Sequence, residues 1–460
     1  MKDILLNELK GFYRNRVFKT LIGLFIISLL LTTYFGIMQN NKQSESQKEA
    51  QEHVREQWEE KDHGNPHQSA HFGSYAFKPM NVLNSIDEGI NSITGNVIRL
   101  EGHTQNDVMF SEASQSLLVS KFGKMKPSLL FQFIIPLFLI FLSFNSYTQE
   151  RDSGRLKLLI VQGASLKNIV FSKIISVWLI GFALLLVTVF VQLFFNSNQL
   201  TLDVLIRLII FGLSYSIYYF ILISLTVFLS LFIKSSTGAL SLTVVIWVMW
   251  VVFLPKIFGN AVEKMQPLPT RVDFQTEMTK DRSQGIDGHN PSDARREKLI
   301  ASTLKEYGVS ELSELPVNFR GIVMQADEEY GNSVWDKHFG SLYNQLKTQK
   351  NIYQFTGIIN PFASLQSLSM GTAGTDMYHH LNFLSQAEKY RRVLIKKLNN
   401  KWRDGSWNDT FFKSIEDFQY NPPHFLQFLN KYVFDIVFLS FWSLILICLI
   451  NYYSKKNIVS

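Results

Sequence analysis

The sequence predicts an all-α polytopic membrane protein with six transmembrane helices, both termini in the cytoplasm, and two mostly helical periplasmic inserts with minor β structure. Three observations predict this fold class. Six apolar runs are long enough to cross a bilayer, which requires about twenty residues of helix. Short segments rich in Lys and Arg alternate with long inserts along the chain. The inserts show helical periodicity with few interruptions, which predicts that they form an outer domain.

The composition requires apolar and polar blocks to alternate. Of the 460 residues, 47% are hydrophobic and 38 are Phe, while only 18% are charged, below the roughly 25% of an ordinary soluble domain. Mean hydropathy is nevertheless only +0.06, so polar segments must balance the apolar runs. The single cysteine, Cys448, lies in an apolar run. An intrachain disulfide is therefore excluded, and we expect packing alone to hold any outer domain together.

The six predicted spans leave two short links and two long inserts. The spans are residues 18–38, 128–147, 170–195, 202–233, 238–254 and 432–453. Only a few residues separate the third span from the fourth and the fourth from the fifth, which predicts tight helical hairpins. Residues 39–127 form the first predicted insert and residues 255–431 the second. Residues 454–460 form a predicted cytoplasmic tail.

Basic residues place the short segments in the cytoplasm. With six crossings, the segments before the first span, after the second, after the fourth and after the sixth share one face. The positive-inside rule assigns that face to the cytoplasm. Its basic residues are Lys2, Lys10, Arg14, Arg16, Lys19, Arg151, Arg155, Lys157, Lys167, Lys234, Lys455 and Lys456. The formal charge of +7 is therefore mainly an orientation signal, and nucleic acid is not an expected partner.

Residues 1–17 are predicted to form an amphipathic helix on the cytoplasmic membrane surface. Ile4, Leu5, Leu9 and Phe12 recur at roughly helical spacing, and charged residues occupy the opposite face. The alternative is a basic flank that only sets the orientation of the first span.

Both inserts contain helix signals. The charged, Gln- and Glu-rich residues 41–62 predict an exposed helix, and short apolar runs within residues 82–100 allow some strand. In the second insert, residues 319–358 have helical periodicity, and an Asn-Pro pair at 360–361 ends that run. Residues 376–399 predict a further helix.

The loop between the second and third spans, residues 148–169, carries the most specific motif. It contains the run Glu150-Arg151-Asp152-Ser153-Gly154-Arg155-Leu156-Lys157-Leu158-Leu159. This run resembles the cytoplasmic loop of ABC-2-type permeases, in which acidic, basic and acidic residues precede a glycine, a threonine and several leucines. Arg155 stands where the threonine is usual.

Two motifs in the inserts resemble the branch of ABC-2-type permeases that has large periplasmic inserts after the first and fifth helices. The first motif is turn-rich and aromatic and contains His67, His71, Phe72 and Gly73. The second contains Asn360, Pro361, Thr375 and Asp376. The resemblance covers nearly the whole chain, and its order of spans and inserts agrees with the topology predicted above.

This resemblance implies a permease subunit of an ATP-driven exporter in a bacterial inner membrane. In such exporters two permease subunits, alike or different, pair in the membrane. Each offers a short cytoplasmic helix to a groove in a separate ATPase subunit. The chain contains no phosphate-binding loop of the Gly-x-x-x-x-Gly-Lys-Ser/Thr kind. We therefore expect no enzyme activity and no cofactor on this chain, with ATP and Mg²⁺ bound by the partner ATPase.

Residues 150–160 suit contact with such an ATPase. Leu156, Leu159 and Ile160 can fill an apolar groove on the partner. Glu150, Arg151 and Arg155 can pair at the rim of that groove, and Asp152 and Gly154 complete the predicted coupling set. The alternative is an ordinary charged loop between spans.

Histidines in the inserts raise the question of a metal site. His63, His67 and His71 recur every four residues, a spacing that can present two imidazoles to one metal on a helix. A Gly and a Pro interrupt the start of this segment, and no Cys joins it. We therefore expect a structural role with imidazoles bonded to backbone groups, and His67 and His71 are the only candidate ligands.

Polar residues inside the predicted spans are candidates for a substrate pathway. These are Gln192, Ser214 and Tyr218, since polar groups buried in a membrane often line such a path. The alternative is hydrogen bonding between helices. The Phe- and Leu-rich spans suit a lipid-like cargo and plain contact with membrane lipid equally well.

Three functional hypotheses follow. The first is export of an unknown substrate, driven by ATP hydrolysis in a separate subunit. The second keeps the ATPase but passes force through the spans to a periplasmic or outer-envelope partner, without transport. The third is a membrane-bound enzyme or receptor without an ATPase, for which residues 150–160 would be dispensable.

Overall fold

The computed structural model of the chain describes residues 1–106 and 125–456. Residues 107–124 of the predicted first insert and residues 457–460 of the predicted tail lie outside the described residues. Within the described ranges the protein is largely helical with little strand, which agrees with the all-α part of the predicted fold class.

The helices are numbered in chain order. The first nine are α1 (Lys2–Arg14), α2 (Arg16–Glu60), α3 (Pro66–Phe72), α4 (Asn91–Thr94), α5 (Pro127–Leu129, Leu130–Ile134 and Ile135–Ser143), α6 (Thr148–Asp152), α7 (Arg155–Val161), α8 (Leu166–Phe195) and α9 (Leu202–Phe232). The remainder are α10 (Ser236–Val248, Met249–Phe253 and Leu254–Met265), α11 (Arg271–Gln284), α12 (Ser292–Tyr307), α13 (Phe319–Phe355), α14 (Pro361–Ala373), α15 (Met377–Arg403), α16 (Asp409–Lys413), α17 (Phe425–Phe428) and α18 (Val433–Lys456). The two strands are β1 (Ser74–Phe77) and β2 (Val97–Leu100).

Six helical stretches within the described residues are long and apolar enough to cross a membrane, so the chain is a multi-pass membrane protein. They are α2, α5 with α6, α8, α9, α10 and α18. The most buried of the six is α9, which packs against α5, α8, α14 and α18 and forms the centre of the bundle. Its inward face carries Tyr215, Tyr219, Leu222 and Ile223, which are fully buried.

Two of the spanning helices contain a π-helical segment next to a proline. Leu130–Ile134 precedes Pro136, and Met249–Phe253 precedes Pro255. Proline lacks an N–H group and its ring clashes with the carbonyl four residues earlier, and a wider π turn relieves both problems. The helix that contains the fifth predicted span therefore continues beyond residue 254, through Pro255 to Met265.

The first spanning helix also extends beyond its predicted end. Residues 41–60 continue α2 without a break, so its 45 residues reach about 68 Å, more than twice the hydrocarbon thickness of a bilayer. Asn15 separates α2 from α1, and its side chain accepts the amide hydrogen of Phe18 at 3.2 Å, which caps α2.

The two inserts pack on each other. Strands β1 and β2 pair antiparallel, with Ser74 opposite Leu100 and Phe77 opposite Val97. Helix α3 and strand β2 pack on α15, which itself packs along α13. A small core joins the inserts and consists mainly of Trp58, Ala70, Leu394, Leu398 and Phe412.

The bundle has two distinct ends. At one end, which we call the insert end, the spans meet the inserts: Gln192 of α8 hydrogen-bonds to Ser85, and Arg207 of α9 bonds to the carbonyl of Thr372. At the opposite end, which we call the loop end, α1 and the α6–α7 segment gather. There the hydroxyl oxygens of Thr148 and Ser236 lie 2.6 Å apart.

Candidate functional site

A sharp break between two short helices shapes the loop end. Helix α6 ends at Asp152, and Gly154 then adopts a left-handed conformation (φ 74°, ψ −7°) before α7 begins at Arg155. Glycine adopts positive φ without steric cost, so Gly154 allows α7 to leave the direction of α6 within two residues. The result is a short helix displayed at the end of the bundle.

Glu150 anchors this segment to the bundle. Its side chain is buried, and its Oε1 atom lies 3.0 Å from the Nζ atom of Lys173 on α8. The same ammonium group lies 2.7 Å from Oε1 of Glu8 on α1. Lys173 therefore joins α1, α6 and α8 through one buried cation.

The basic residues of the segment make short-range contacts. Nε of Arg155 lies 3.3 Å from Oε2 of Glu150, and Nε of Arg151 lies 3.1 Å from Oδ1 of Asp152. Arg151 also donates to the backbone carbonyl of Lys234, which links the segment to the turn before α10. The predicted polar residues thus lie together. Glu150 and Arg151, however, already bond to other parts of the same chain.

Two of the three apolar residues predicted to fill a partner groove, Leu156 and Leu159, pack instead against the bundle. Leu156 is only 8% exposed and packs in the main core, and Leu159 is half-buried against that core. Ile160 is 39% exposed, as a groove contact requires. Leu156 turns inward because α7 starts directly after Gly154, and a periodicity argument without the bundle cannot set that rotation.

Two exposed apolar residues were not included in the predicted set. Leu158 is 63% exposed and Val161 is 85% exposed. Together with Ile160 they form what we call the α7 apolar face. The sequence contains one signal for this face, an apolar run that continues to Val161. It does not show which side of the helix remains exposed.

The three candidate pathway residues differ in the hydrogen bonds of their side chains. Nε2 of Gln192 donates to Oγ of Ser85 at 2.7 Å, which ties α8 to the first insert. The hydroxyl of Ser214 donates to the carbonyl of Ile210 within its own helix at 2.7 Å. The hydroxyl of Tyr218 is buried without a hydrogen-bond partner among the described residues. Ser214 and Tyr218 lie one turn apart on α9, but no hydrogen bond among the described residues joins the three candidate groups.

The second insert motif forms a junction between the insert and the spans. Pro361 is at the first turn of α14, where its missing N–H costs nothing, and Asn360 caps that helix. The side-chain amide of Asn360 also donates to the carbonyl of Trp250 on α10 at 2.8 Å. This motif therefore positions α14 against the fifth span.

Asp376 caps α15 and forms a buried polar cluster. Its Oδ1 atom accepts the amide hydrogen of His379 at 3.1 Å and lies 2.6 Å from Nδ1 of that residue. The hydroxyl of Tyr432 donates to Oδ2 at 2.7 Å. Burial alone would raise the pKa of Asp376, but the charge of His379 and the hydrogen bonds from His379 and Tyr432 outweigh it. The pKa of Asp376 is therefore well below its usual value.

Thr375 connects the inserts through its backbone. Its carbonyl accepts the amide hydrogen of Ile90 at 3.0 Å, and its own amide bonds to the carbonyl of Met370. Thr375 and Asp376 thus serve the architecture of the insert end.

A second polar cluster at the insert end was not identified from the sequence. The hydroxyl of Tyr215 on α9 lies 2.9 Å from Oγ of Ser369 and accepts a hydrogen bond from Gln132 of α5 at 2.9 Å. Ser369 in turn donates to Asp87 of the first insert. We call these four residues the four-way cluster, since they join two spans and both inserts.

The first insert motif places histidines together. His67 and His71 lie one turn apart on α3, and their Nε2 atoms are 3.2 Å from each other. His103, which follows β2, completes a group in which one ring nitrogen of each histidine lies within 4.8 Å of those of the other two. His63 is separate: its Nε2 atom donates to the carbonyl of Trp58 at 2.6 Å, the backbone-bonded role expected for these imidazoles.

Gly73 shapes the same motif. Its φ is 71°, and a Cβ atom there would lie 2.3 Å from the carbonyl oxygen of Leu100. Only glycine permits this approach, which ends α3 and places it beside the end of β2. His103 is thereby brought near α3.

Two known families match different parts of the chain, and the two matches meet at residues 271–272, within the second insert. Residues 101–272, which include α5 to α10, are similar to a family described as a protein of unknown function (DUF2705). Residues 271–421, from α11 through most of the second insert, are similar to a family described as a domain of unknown function (DUF3526). Each match covers less than half of the chain. No curated protein and no solved structure matches it.

Proposed function

We propose that this chain is the membrane-spanning permease subunit of an ABC-2-type exporter in a bacterial inner membrane, with its loop end in the cytoplasm and its inserts in the periplasm. The observation that carries the proposal is the α7 apolar face, displayed at the loop end on a short helix that is anchored to two other helices. Exposed apolar residues on a short helix suit a groove in a protein partner.

The anchoring gives the α7 apolar face a route to the spans. A push on α7 reaches Glu150 of α6 through Arg155, and from there α8 and α1 through Lys173. Binding of ATP and Mg²⁺ by the partner ATPase would bias two arrangements of the bundle. A second permease copy or a paralogue completes the assembly, and the exported substrate is not identified.

Purification of the full chain from native membranes in a mild detergent tests this proposal. We expect a separate ATP-hydrolysing subunit to copurify and to be identified by mass spectrometry. Changing both Leu158 and Val161 to Asp should remove that subunit, since the two carboxylates would be desolvated in the groove. Val393→Asp is the matched control, because Val393 is an exposed apolar residue (61%) on α15, in the second insert.

Two outcomes would overturn the proposal. One is the absence of any ATPase from the preparation of the unchanged chain. The other is retention of the ATPase by the Leu158→Asp, Val161→Asp variant at the level of the Val393→Asp control. Leu156 is not a suitable test position, because its burial makes a folding defect the expected result of an Asp there.

The four-way cluster supports a second candidate function, transmission of force to a periplasmic or envelope partner without transport. Tyr215 of α9 bonds to Ser369 of the second insert, so movement of the central span reaches that insert directly. The α2 helix adds a continuous rod from the bundle into the first insert.

A cysteine probe distinguishes the two functions. Cys448→Ser removes the native thiol, and Val393→Cys then places one label on the second insert. If force is transmitted, addition of ATP to the complex should change the label's spectrum, and Tyr215→Phe should reduce that change while leaving ATP hydrolysis intact. An ATP-independent label spectrum, with hydrolysis intact, would argue against force transmission.

A further inference from the structure

Three imidazoles meet where the first insert packs on the second. The ring centres of His67, His71 and His103 are 4.8 to 5.2 Å apart in every pair. The 3.2 Å between Nε2 of His67 and Nε2 of His71 is close to the roughly 3.3 Å expected for two nitrogens bound tetrahedrally to one zinc ion at about 2.05 Å. One nitrogen of each ring already lies within 4.8 Å of those of the other two, so a metal ion at their centre requires His103 to approach the His67–His71 pair.

Helix α3 fixes the first two imidazoles. The side chain of Asn65 caps the helix by accepting the amide hydrogen of Gln68 at 3.0 Å. Because His67 and His71 are four residues apart on this helix, both rings lie on one face. The ring of His67 stacks on Trp402 of α15, with centres 4.9 Å apart and planes at 11°. His71 is exposed, which leaves the group open to solvent on one side.

The backbone of His103 is held in an unusual conformation. Its φ is 62°, the one positive value among non-glycine residues in the described ranges. This conformation costs roughly 1 kcal/mol or more in an L-residue, and such strain is concentrated at functional sites. Two contacts maintain it: the amide of His103 donates to Glu328, and its carbonyl accepts from Arg282 at 3.0 Å.

Glu328 also orients the imidazole of His103. Oε1 of Glu328 lies 3.1 Å from Nδ1 of His103, and its Oε2 atom accepts from Arg391 at 3.1 Å. A carboxylate on Nδ1 leaves Nε2 of His103 free as a ligand and increases its basicity. Histidines that bind metals in proteins usually have such a partner on the other ring nitrogen.

We propose that His67, His71 and His103 bind one divalent transition-metal ion, Zn²⁺ or Cu²⁺, with water in the fourth position. Imidazole suits these ions, and three histidines with one open position are an established zinc geometry. The metal joins α3 to the turn after β2 and so stiffens the face of the first insert that rests on Glu328 and Trp402. This site does not depend on the proposed ATPase partner.

Zinc titration of the full chain in detergent tests the site. The protein carries a purification tag without histidine and is stripped with a chelator before calorimetry and metal analysis. We expect one Zn²⁺ per chain and a higher unfolding temperature with metal. His71→Ala and His103→Asn should each weaken binding at least about 100-fold, since changes to outer partners of a metal already cost about 10- to 100-fold. Asn tolerates the positive φ at position 103.

His289→Ala is the control, because His289 is exposed on a loop of the second insert, outside this group. It should bind zinc like the unchanged chain. Absorption bands of four-coordinate Co²⁺, lost in His103→Asn, provide a readout that packing alone would not change. Zinc retention after dialysis that is equal in the unchanged chain and in His71→Ala, with both folded by circular dichroism, would show that the imidazoles only pack together.

Discussion

The Nζ atom of Lys173 lies 3.0 Å from Oε1 of Glu150, and this contact joins the α6–α7 segment to the third spanning helix. Both side chains are buried. Glu8 shares the ammonium group from α1, and Arg155 reaches Glu150 from α7. The loop end is therefore organised around one ionic cluster, and its integrity is a condition for the proposed coupling.

Lys173→Met should destabilise the protein by about 3 kcal/mol, because the buried carboxylate of Glu150 would keep only the exposed Arg155 as an ionic partner among the described residues and Glu8 would lose Lys173. Thermal unfolding in detergent measures the loss. Lys157→Met, at an exposed position of the same segment, is the control and should change stability little. The double change Lys173→Met, Glu150→Gln should cost less than the two single changes added together. Strict additivity would mean that the pair does not interact.

Gly154→Ala should reduce stability by about 1 to 2 kcal/mol through backbone strain alone, since no atom lies within 4 Å of the position of its Cβ. Gly154→Asn should cost less, because Asn tolerates left-handed conformation. Unfolding temperatures of the two variants check the order. If Ala and Asn are equally neutral, the left-handed conformation at residue 154 is not maintained in solution.

Arg207→Met should release the second insert from the fourth span. The guanidinium is fully buried and bonds to Asp203 and to the carbonyls of Thr372 and Pro423. We expect a loss of about 3 to 5 kcal/mol and faster proteolysis of the second insert. Arg207→Lys should recover only part of this, because an ammonium group lacks the planar fork.

The control for that experiment is Arg296→Met, since Arg296 is exposed on α12. Its proteolysis pattern should match the unchanged chain. An Arg207→Met protein with unchanged proteolysis would show that the insert is held by apolar packing and not by this arginine.

His380 should make stability depend on pH. Burial, with a smaller effect from the charge of Lys78, lowers the pKa of His380 from 6.5 to about 4. The unfolded chain binds this proton more readily, so the stabilisation is complete above pH 6.5 and is lost as the pH falls from 6.5 towards 4. The shift corresponds to about 3 kcal/mol.

His380→Gln should therefore flatten the fall in unfolding temperature between pH 7 and pH 5, while His289→Gln should not. The measurement is thermal unfolding in detergent at several pH values across that interval. Equal slopes in the two variants would mean that other groups cause the acid sensitivity.

The sequence alone was sufficient for the parts of the fold that local chemistry controls. Six apolar runs match the six described helices that are both long and apolar enough to cross a membrane, because a helix satisfies its own backbone hydrogen bonds and can cross wherever it is apolar for long enough. The Asn360-Pro361 pair separates α13 from α14 as predicted, since a cap and a fixed φ act within one turn. By contrast, the sequence did not indicate that the helix of the fifth span continues past residue 254, where a π turn accommodates Pro255.

Only the tertiary structure decided which side chains meet. The sequence shows that Leu156, Leu158 and Val161 are apolar. The packing of α7 against the bundle determines that Leu156 is buried and that the other two side chains are exposed. His103 joins His67 and His71 because strand pairing and a carboxylate of the second insert hold the turn after β2. These contacts join residues far apart in the chain. Their geometry depends on the rotation and register of whole elements, and local propensity contains no information about either.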